Sequence, residues 1–478
     1  MLAPLLLVAL QSRLDAILDD PKLSGATIAV CVARADGRVL YQRDAARRLM
    51  PASNQKLFTV AYALHELGPD YAPRTRFWRL QDRVVVDAPG DPSLTYEQLR
   101  EAARRLGSPI RMPVFARQAY KPRVGPTWEL DDLPFRFAAR ITALSFDRGV
   151  VKLVASKGMP VLEPEAFGIR ILHFPYGERS QELDPFGGVL VVHGELPKER
   201  AELAVFAIPE PDRAAASILG GPLLATEFVP EPSPDYEIRG KQLLEMAKEC
   251  LAPSDNYVAE HLLLSASGRR GRLVSESPYP AASGRMRAFL TGVAGIESGD
   301  IRPVDGSGMS RHNQATARSY ARLLTWMRSS PHFELWKSSM AAPGVGTLRT
   351  RLQNVAFVGK TGSLDMVAAL SGYVTTKAGD ELAVSLIVNH FSCTQAEVRE
   401  ILDRFVRELA EGSGIGTLFE VYGNRETTHT DKHARSADAH RVSGPGGHGM
   451  AAQSRARRRA ESLDAAASGT GRVGVRAG

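Results

Sequence analysis

The chain has 478 residues, which is more than one ordinary hydrophobic core accommodates and predicts two or three domains. Hydrophobic residues make up 44% and charged residues 24%, the composition of a soluble globular protein. The net charge is +7, but residues 424–478 contain ten Lys/Arg and five Asp/Glu, so the remaining body is nearly neutral. That body lacks the basic stripe of a nucleic-acid-binding protein, and this function is excluded.

The first residues allow two interpretations. The apolar run of residues 2–10 resembles the core of a signal peptide, but no basic residue precedes it. Residues 1–11 are therefore either a truncated signal segment or the start of a buried first helix. No run of 18 apolar residues occurs elsewhere, so no membrane-spanning helix is predicted.

Strand and helix patterns follow one another in the first half of the chain. Residues 27–41 predict two strands joined by an Ala-Asp-Gly turn, and residues 55–67 predict a helix with Gly68 as its C-cap. Residues 81–222 predict an inserted, mostly β region of short runs between Pro and Gly breaks. These runs are RVVV, RITALSF, VVKLV, GVLVV and LAVFAI.

Helical patterns return at Tyr236, continue to residue 268 and recur over residues 313–330. Two strand-like stretches follow, 354–364 and 368–389, the second a hairpin around Lys377. An amphipathic helix then ends at Gly412. The predicted fold class is α+β, an αβα sandwich with an antiparallel sheet flanked by helices. Residues 12–80 and 223–415 would form one discontinuous domain that the insertion interrupts.

The C-terminal segment 424–478 is rich in Ala, Gly, Ser, Arg and His and has hardly any aromatic residues. Such a segment cannot bury enough apolar surface to offset the entropy lost on ordering, so it is predicted to be disordered.

The residues that usually bind metals show no ligand spacing. Cys31, Cys250 and Cys393 lie far apart without a CxxC pair, and the eleven histidines form no HExxH pattern. We therefore predict no disulfide framework, no metal and no cofactor.

Three short polar motifs occur once each and in a fixed order: Ser53-Asn-Gln-Lys56, Ser254-Asp-Asn256 and Lys360-Thr-Gly362. Residues i and i+3 share one face of a helix, so Ser53 and Lys56 would point into the same cleft. Burial and a neighbouring cation, such as Lys360, lower the pKa of a lysine and free its amine to accept the serine proton.

The second motif would serve proton transfer and substrate binding. Ser254 would relay a proton between Lys56 and the leaving amine, and Asn256 would hydrogen-bond the substrate's amide carbonyl.

The third motif would bind the rest of the substrate. Lys360 and Thr361 would hold a free carboxylate, and Gly362 would let a substrate backbone lie against the strand. The backbone N–H of Ser363 would pair with that of Ser53 as an oxyanion hole.

Each motif alone also has an ordinary structural interpretation. The first would be a helix cap with a solvated lysine, the second a common helix start, and the third a glycine-rich loop with a surface lysine. Their joint occurrence in one order favours the catalytic interpretation.

With these motifs the sequence resembles the D-alanyl-D-alanine carboxypeptidase/endopeptidase family, the class C low-molecular-mass penicillin-binding proteins. Their transpeptidase-like domain is interrupted between the first two motifs. Other similar stretches are GDPSLT (90–95), WELDDL (128–133), ITALSFDRG (141–149), DGSGMSR (305–311), GTLRTRL (346–352) and LSGYVTT (370–376). The sequence departs from the family in a shorter insertion, in the C-terminal segment, and at Arg148, where Asn is expected.

This resemblance implies a serine DD-peptidase. Ser53 would attack the D-Ala-D-Ala carbonyl, D-alanine would leave, and water would release the acyl-enzyme. The implied partners are peptidoglycan stem peptides ending in D-Ala-D-Ala and β-lactam antibiotics as covalent inhibitors. DD-endopeptidase activity on cross-bridges would depend on the insertion. The resemblance also implies a periplasmic or other extracytoplasmic location, no nucleic acid, and at most peripheral membrane association.

Two alternatives stay open, a β-lactamase or esterase on the same scaffold and a non-catalytic peptidoglycan-binding module. Residues 257–359 contain no E-x-x-L-N motif of class A β-lactamases, and Ser254 stands where class C β-lactamases have a tyrosine. Both observations favour the peptidase.

Overall fold

The structure is a computed structural model that describes residues 2–107, 112–121, 124–165, 168–184, 186, 188–231, 233–269 and 277–412. The predicted disorder of residues 424–478 concerns a segment outside this described part. The helices are α1 (Leu2–Leu18), α2 (Gln55–Leu67), α3 (Tyr96–Leu106), α4 (Pro211–Leu219), α5 (Leu243–Leu251), α6 (Asn256–Gly268), α7 (Tyr279–Gly292), α8 (Ala317–Met327), α9 (Phe333–Ser338) and α10 (Gln395–Glu411). The strands are β1 (Thr27–Ala33), β2 (Val39–Arg43), β3 (Arg74–Arg79), β4 (Val84–Ala88), β5 (Val114–Gln118), β6 (Val150–Ser156), β7 (Met159–Glu163), β8 (Arg170–Phe174), β9 (Ser180–Leu183), β10 (Val189–His193), β11 (Ala201–Ala207), β12 (Leu223–Ala225), β13 (Tyr236–Arg239), β14 (Ile301–Arg302), β15 (Gln314–Ala315), β16 (Phe357–Leu364), β17 (Val367–Thr375) and β18 (Glu381–Asn389).

The central element is a five-stranded antiparallel sheet in the order β16-β17-β18-β1-β2. The two predicted hairpins, β1–β2 and β17–β18, are both confirmed. Strand β18 pairs with β1, with Val30 opposite Leu386, and so joins the two ends of the domain in one sheet. Strand β16, which carries the third motif, lies at the edge.

Helices cover both faces of this sheet because side chains along a strand point alternately to its two sides. On β1, Cys31 packs in the hydrophobic core that contains α2 and α8. Its neighbours Val30 and Val32 pack in the core that contains α1 and α10. The predicted α+β class with an antiparallel sheet between helices is confirmed.

The first helix packs on this sheet through its C-terminal turns. Leu10, Leu14 and Leu18 are buried in the same core as α10, and Arg13 Nε donates to Glu408 Oε1 at 2.6 Å. The signal-segment interpretation of residues 1–11 stays a prediction. Across the described residues, no helix combines the length and the apolar character that crossing a bilayer requires.

The inserted region forms three smaller sheets. One has five strands in the order β12-β5-β4-β3-β13, and two have three strands, β11-β6-β7 and β8-β10-β9. The predicted β runs at β4, β6, β10 and β11 are confirmed. The boundaries 81–222 stay a prediction, but the five-stranded sheet draws strands from Arg74 to Arg239, since β13 pairs with β3.

Two predicted elements are wrong. Residues 140–146 (RITALSF), predicted as a strand, form an irregular buried segment in which the Leu144 N–H donates to Gln118 Oε1. Their apolar side chains reflect burial rather than strand pairing. Residues 236–239, predicted as the start of a helix, form β13 because a partner strand is available in β3.

Candidate active site

Ser53 lies in a short 3-10 turn, Ala52–Asn54, that leads directly into α2. Ala52 has φ +47°, a left-handed conformation that residues with a Cβ rarely adopt, so its surroundings must hold it there. A Cβ on Gly308 would lie 1.9 Å from the Ala52 carbonyl oxygen, and a Cβ on Gly362 would lie 2.7 Å from that of Pro51. The turn is therefore fixed between the Gly308 loop and β16. This close approach gives Gly362 a structural role, and its substrate-binding role stays a prediction.

Lys56 lies one helical turn after Ser53 and is completely buried. Its Nζ donates to Ser53 Oγ at 2.9 Å, to Asn256 Oδ1 at 2.6 Å and to the Ser307 carbonyl at 2.7 Å. The interpretation of Lys56 as a solvated lysine is therefore wrong. A neutral amine has two N–H groups, which would keep the bonds to Asn256 and Ser307. Its lone pair would face Ser53, and the Ser53 O–H would then donate to Lys56 Nζ.

Burial is the main cause of the lowered pKa of Lys56, because the ammonium form loses its hydration. The charges of Asp305 and Glu260 act in the opposite direction. Lys360 is also completely buried, and burial together with the charge of Lys56 holds its pKa well below the usual range. Both amines therefore lose their protons more readily than an exposed lysine does, and burial, rather than the predicted charge of Lys360, is the main cause at Lys56.

The second motif begins α6. Asp255 is the N-cap, and its side chain accepts the Val258 N–H at 3.0 Å. Ser254 has φ +69° and lines the cavity in front of Ser53. Asn256 accepts from Lys56 and donates through Nδ2 to the Phe137 carbonyl at 2.8 Å. Its predicted bond to a substrate carbonyl would require the bond to Phe137 to be exchanged.

Arg148, where the resemblance leads us to expect Asn, supports this motif. Its φ of 59° and ψ of 27° lie in the left-handed region, which Asn adopts more readily than Arg. Its guanidinium forms ion pairs with Asp255 and, at 3.1 Å, with Glu249. The arginine thus offers two ion pairs in place of the backbone preference of Asn.

The third motif lies on the edge strand β16. Gly359 exchanges two backbone hydrogen bonds with Ala341, so its N–H and C=O point away from β17. Because this orientation recurs at every second residue, the backbone groups of Thr361 and Ser363 also point off the sheet edge. The edge is therefore suited to bind an extended substrate, and the oxyanion role of Ser363 stays a prediction.

Of the two side chains predicted to hold a carboxylate, only Thr361 reaches the cavity. Lys360 lies behind it, and its Nζ donates to the Thr361 carbonyl at 2.8 Å. The Thr361 hydroxyl donates to Thr347 Oγ1 at 2.8 Å and lines a cavity with Ser53.

The loop 305–311 is a part of the site to which sequence reasoning assigned no role. Its Ser307 carbonyl is a hydrogen-bond partner of Lys56. Glu260 accepts two backbone N–H groups of the loop, at 3.0 and 2.7 Å, and Asp305 accepts two more, at 2.8 and 2.7 Å. Both carboxylates are buried and hold the loop against α2. The only sequence signal for this loop was the DGSG sequence of residues 305–308.

Two cavities meet at Ser53, and both are lined by Ser53, Ser254, Ser363 and Arg399. The larger cavity, about 470 Å³, is also lined by Glu129, Asp132, Phe137, Asn256, Gly308, Met309, Arg311, Leu364, Asp365 and Gln395. The smaller cavity, about 330 Å³, is also lined by Thr347, Arg351 and Thr361. Hydrogen bonds thus connect Ser53, Lys56 and Asn256. Ser254, Thr361 and Ser363 line the smaller cavity.

Comparison with known proteins identifies the family of this chain. Residues 10–169 and 229–410 match the model of the D-Ala-D-Ala carboxypeptidase 3 (S13) family. The D-alanyl-D-alanine carboxypeptidase of Actinomadura sp. (strain R39) is 30% identical over 458 residues, which cover 81% of this chain and 82% of that protein. The crystal structure of penicillin binding protein 4 (dacB) from Haemophilus influenzae matches with a TM-score of 0.68 at 22% identity, over 83% of this chain and 98% of that one. The same protein in complex with a β-lactam matches with a TM-score of 0.65 at 21% identity, over 83% and 98%.

The stretch between the two matched ranges, residues 170–228, overlaps the C-terminal part of the predicted insertion 81–222 and extends six residues beyond it. The family match and the relative at 30% identity confirm the predicted family and the predicted class of enzyme, a D-Ala-D-Ala carboxypeptidase. The chain belongs to the D-Ala-D-Ala carboxypeptidase 3 (S13) family.

Proposed function

We propose that this chain hydrolyses the D-Ala-D-Ala bond of peptidoglycan stem peptides through an acyl-enzyme on Ser53, with Lys56 as the base. The observation that carries this proposal is the 2.9 Å distance between Ser53 Oγ and the Nζ of the completely buried Lys56. A lysine whose pKa is lowered by burial, within hydrogen-bond reach of a serine hydroxyl, forms a base and nucleophile pair.

The acylation step follows from this geometry. As Ser53 Oγ bonds to the carbonyl carbon of the penultimate D-alanine, its proton moves to the lone pair of neutral Lys56. The backbone N–H groups of Ser53 and Ser363 would stabilise the resulting oxyanion. When the C–N bond breaks, the proton would pass from Lys56 through the Ser254 hydroxyl to the leaving amine.

Deacylation repeats these roles with water in place of the serine. Lys56, again neutral, would accept a proton from water as the water oxygen attacks the acyl-serine ester. The ester C–O bond then breaks, Ser53 Oγ regains a proton, and the shortened peptide leaves as a free acid.

The larger cavity suits the acyl half of the stem peptide. Arg311 pairs with Glu129 at 2.6 Å and with Asp365 at 3.5 Å, and Asp132 lies in the same wall. Three carboxylates around one guanidinium give this wall a net negative charge. Such a wall favours a substrate side chain that carries an ammonium group.

β-Lactam antibiotics would acylate the same serine, because the strained ring amide takes the place of the scissile bond. The β-lactam complex of the Haemophilus influenzae protein, which shares this fold, supports this class of ligand. Endopeptidase activity on cross-bridges is the second candidate, since two cavities meet at Ser53. The proposed substrate lies outside the cytoplasmic membrane, so we also propose a periplasmic or other extracytoplasmic location.

Labelling with a fluorescent penicillin tests the nucleophile. The wild-type protein should form a covalent adduct and Ser53→Ala should form none. Ser338→Ala, which changes an exposed serine on α9, should label like the wild type. Equal labelling of Ser53→Ala and wild type would overturn the assignment. Rapid turnover of nitrocefin would favour a β-lactamase, and a Ser53→Ala variant with unchanged sacculus binding and phenotype would favour the non-catalytic module.

Mass spectrometry of digested sacculi tests the reaction. Carboxypeptidase activity should convert pentapeptide stems to tetrapeptides with release of D-alanine. Endopeptidase activity should instead split cross-linked dimers into monomers, so the two product patterns separate the two candidates.

A further inference from the structure

The loop 305–311 connects the inserted region to the helix that carries the base. It accepts hydrogen bonds from two residues of α2, Lys56 at 2.7 Å and Thr59 at 2.6 Å. Three consecutive residues of the inserted region, 127–129, also bond to side chains of this loop. These contacts are Thr127 Oγ1 with Ser310 Oγ at 2.6 Å, Trp128 Nε1 with Asp305 Oδ2 at 3.1 Å, and Arg311 Nε with Glu129 Oε1 at 2.6 Å.

The bond from Trp128 differs from its two neighbours because both of its partners are buried. Thr127 and Glu129 are exposed, whereas Trp128 is buried and Asp305 is completely buried. A Cβ on Gly125 would lie 2.1 Å from Cε2 of the indole, so a glycine at this position lets the ring pack closely. Water competes little for a buried carboxylate, so the indole N–H is the contact of the three that acts most strongly on the loop.

Asp305 acts on Lys56 in two ways. Its carboxylate accepts the backbone N–H of Gly308 at 2.8 Å and that of Ser310 at 2.7 Å. The bend that these bonds close contains Ser307, whose carbonyl accepts from Lys56. Burial lowers the pKa of Lys56, and the charge of Asp305 acts against this effect. The position and the charge of Asp305 therefore both influence the amine.

Several other titratable groups act on the same amine, so the contribution of Asp305 must be separated from theirs. They are Cys250 on α5, Asp255 and Glu260 at the start and in the body of α6, and Lys360 on β16. Asp255 also contacts the inserted region, through its ion pair with Arg148, but it is only partly buried. Asp305 is the completely buried carboxylate that the inserted region reaches through Trp128.

We infer that Trp128 is a positioning residue for the base: its indole N–H holds Asp305 and thereby sets the charge and the carbonyl that Lys56 meets. This inference rests on the proposed function and gives the inserted region a part in proton transfer. Without the N–H, Asp305 would lose a donor and its negative charge would act more strongly on Lys56. The ammonium form would then be favoured, and the amine would be neutral in a smaller fraction of molecules.

The kinetics of acylation by penicillin separate binding from chemistry. The dependence of the rate on penicillin concentration gives the dissociation constant of the non-covalent complex and the first-order rate constant of acylation. Trp128→Phe should move the midpoint of the pH–rate profile up by about 0.5–1 pH unit, and so slow acylation about 3- to 10-fold on its acid side. The dissociation constant should not change. A first-order constant refers to each active molecule, so partial unfolding does not imitate this result.

A second variant keeps the shape of the indole. 3-Benzothienylalanine at position 128 has a sulfur atom in place of the N–H and should give the same shift without leaving a cavity. Trp336→Phe is the control, because Trp336 is completely buried and its Nε1 has no hydrogen-bond partner in the described part of the chain. It removes the same volume and should keep the wild-type midpoint and rate constant.

The outcomes separate this inference from the proposed function. An unshifted profile in both variants at position 128, with or without a change in the dissociation constant, overturns the inference alone. So does a shift in Trp128→Phe that 3-benzothienylalanine does not reproduce, or an equal shift in Trp336→Phe, because loss of ring volume would then be the cause. A wild-type protein that penicillin does not label overturns the proposed function, and the inference with it.

Discussion

On one side of Ser53 lie Lys56, Lys360 and Ser307, which are completely buried. On the other side lie Ser254, Ser363 and Arg399, which line both cavities. We call these sets the buried side and the open side. On the buried side each lysine amine is hydrogen-bonded within the protein. On the open side the side chains face the space that a substrate would fill.

This difference separates two requirements of the reaction. Proton transfer needs a neutral amine at a fixed distance from the hydroxyl, and burial among fixed partners provides both. Recognition needs groups that stay accessible until the substrate arrives, and the side chains that line the cavities are accessible. Changes on the buried side should therefore affect every substrate. On the open side, changes to side chains that only bind should affect the choice among substrates, and Ser254, the proposed proton relay, is the exception.

The largest expected effect comes from removing the base on the buried side. Lys56→Met keeps the length of the side chain and should slow acylation by penicillin about 1,000-fold, because no other group would accept the Ser53 proton. The free energy of unfolding should not fall, since an apolar side chain replaces a buried amine. Stopped-flow labelling and chemical denaturation measure the two effects.

Lys152→Met is the control for this change, because Lys152 is exposed and forms an ion pair with Glu202 at 2.9 Å. It should acylate at the wild-type rate. Acylation of Lys56→Met at close to that rate would show that the base lies elsewhere. Proton transfer could then not be assigned to the buried side.

The close packing behind Ser53 predicts the next effect. Gly308 has φ +87°, and a Cβ there would meet the Ala52 carbonyl, so Gly308→Ala should lower the free energy of unfolding by about 2–4 kcal/mol. Gly379 has nearly the same φ, +88°, but open space around it, so Gly379→Ala should cost only about 1 kcal/mol. Chemical denaturation of both variants measures the difference. Equal losses would mean that the Ser53 turn can shift freely.

Much of the fold follows from local patterns in the sequence. The helix α2, the hairpin β17–β18 and the closing helix α10 carry strong periodicity and end at turn or capping residues, so they could be predicted. Residues 140–146 and strand β13 could not, because their conformation depends on partners distant in sequence. A buried loop and a strand show the same apolar pattern until the pairing partner is known.

The candidate site divides in the same way. Ser53, Lys56 and Asn256 could be found because their chemistry depends on residue type and spacing. The Ser307 carbonyl could not, since every residue has one and only the fold brings it to Lys56. Arg399 had no local signal either, because on sequence grounds it resembles the other arginines of α10. Its position beside Ser363 distinguishes it.

The pH dependence of acylation tests whether burial controls Lys56. Because its pKa is lowered, the acylation rate should rise up to about tenfold per pH unit below that pKa and level off above it, as the amine loses its proton. The same shift implies that the free energy of unfolding falls as pH decreases from the ordinary lysine pKa to the folded-state pKa, because in this range only the unfolded chain binds the proton; below the folded-state pKa the loss is complete. In Lys56→Met the free energy of unfolding should not show this contribution to its pH dependence. A flat rate profile over roughly pH 5 to 10 would contradict a titrating lysine base.

The smallest effect is expected at Arg148, which supports the Ser254 turn on the open side. Arg148→Asn loses the ion pairs with Asp255 and Glu249 but introduces a residue better suited to φ 59°, so it should lower the free energy of unfolding by about 0.5–1 kcal/mol. Arg148→Ala loses the same ion pairs without this backbone preference and should cost about 1–2 kcal/mol. Chemical denaturation measures both, and penicillin acylation reports the position of Ser254. If Arg148→Asn is as unstable as Arg148→Ala, the ion pairs alone hold the turn. If neither variant changes stability or acylation, Ser254 keeps its strained backbone without support from Arg148.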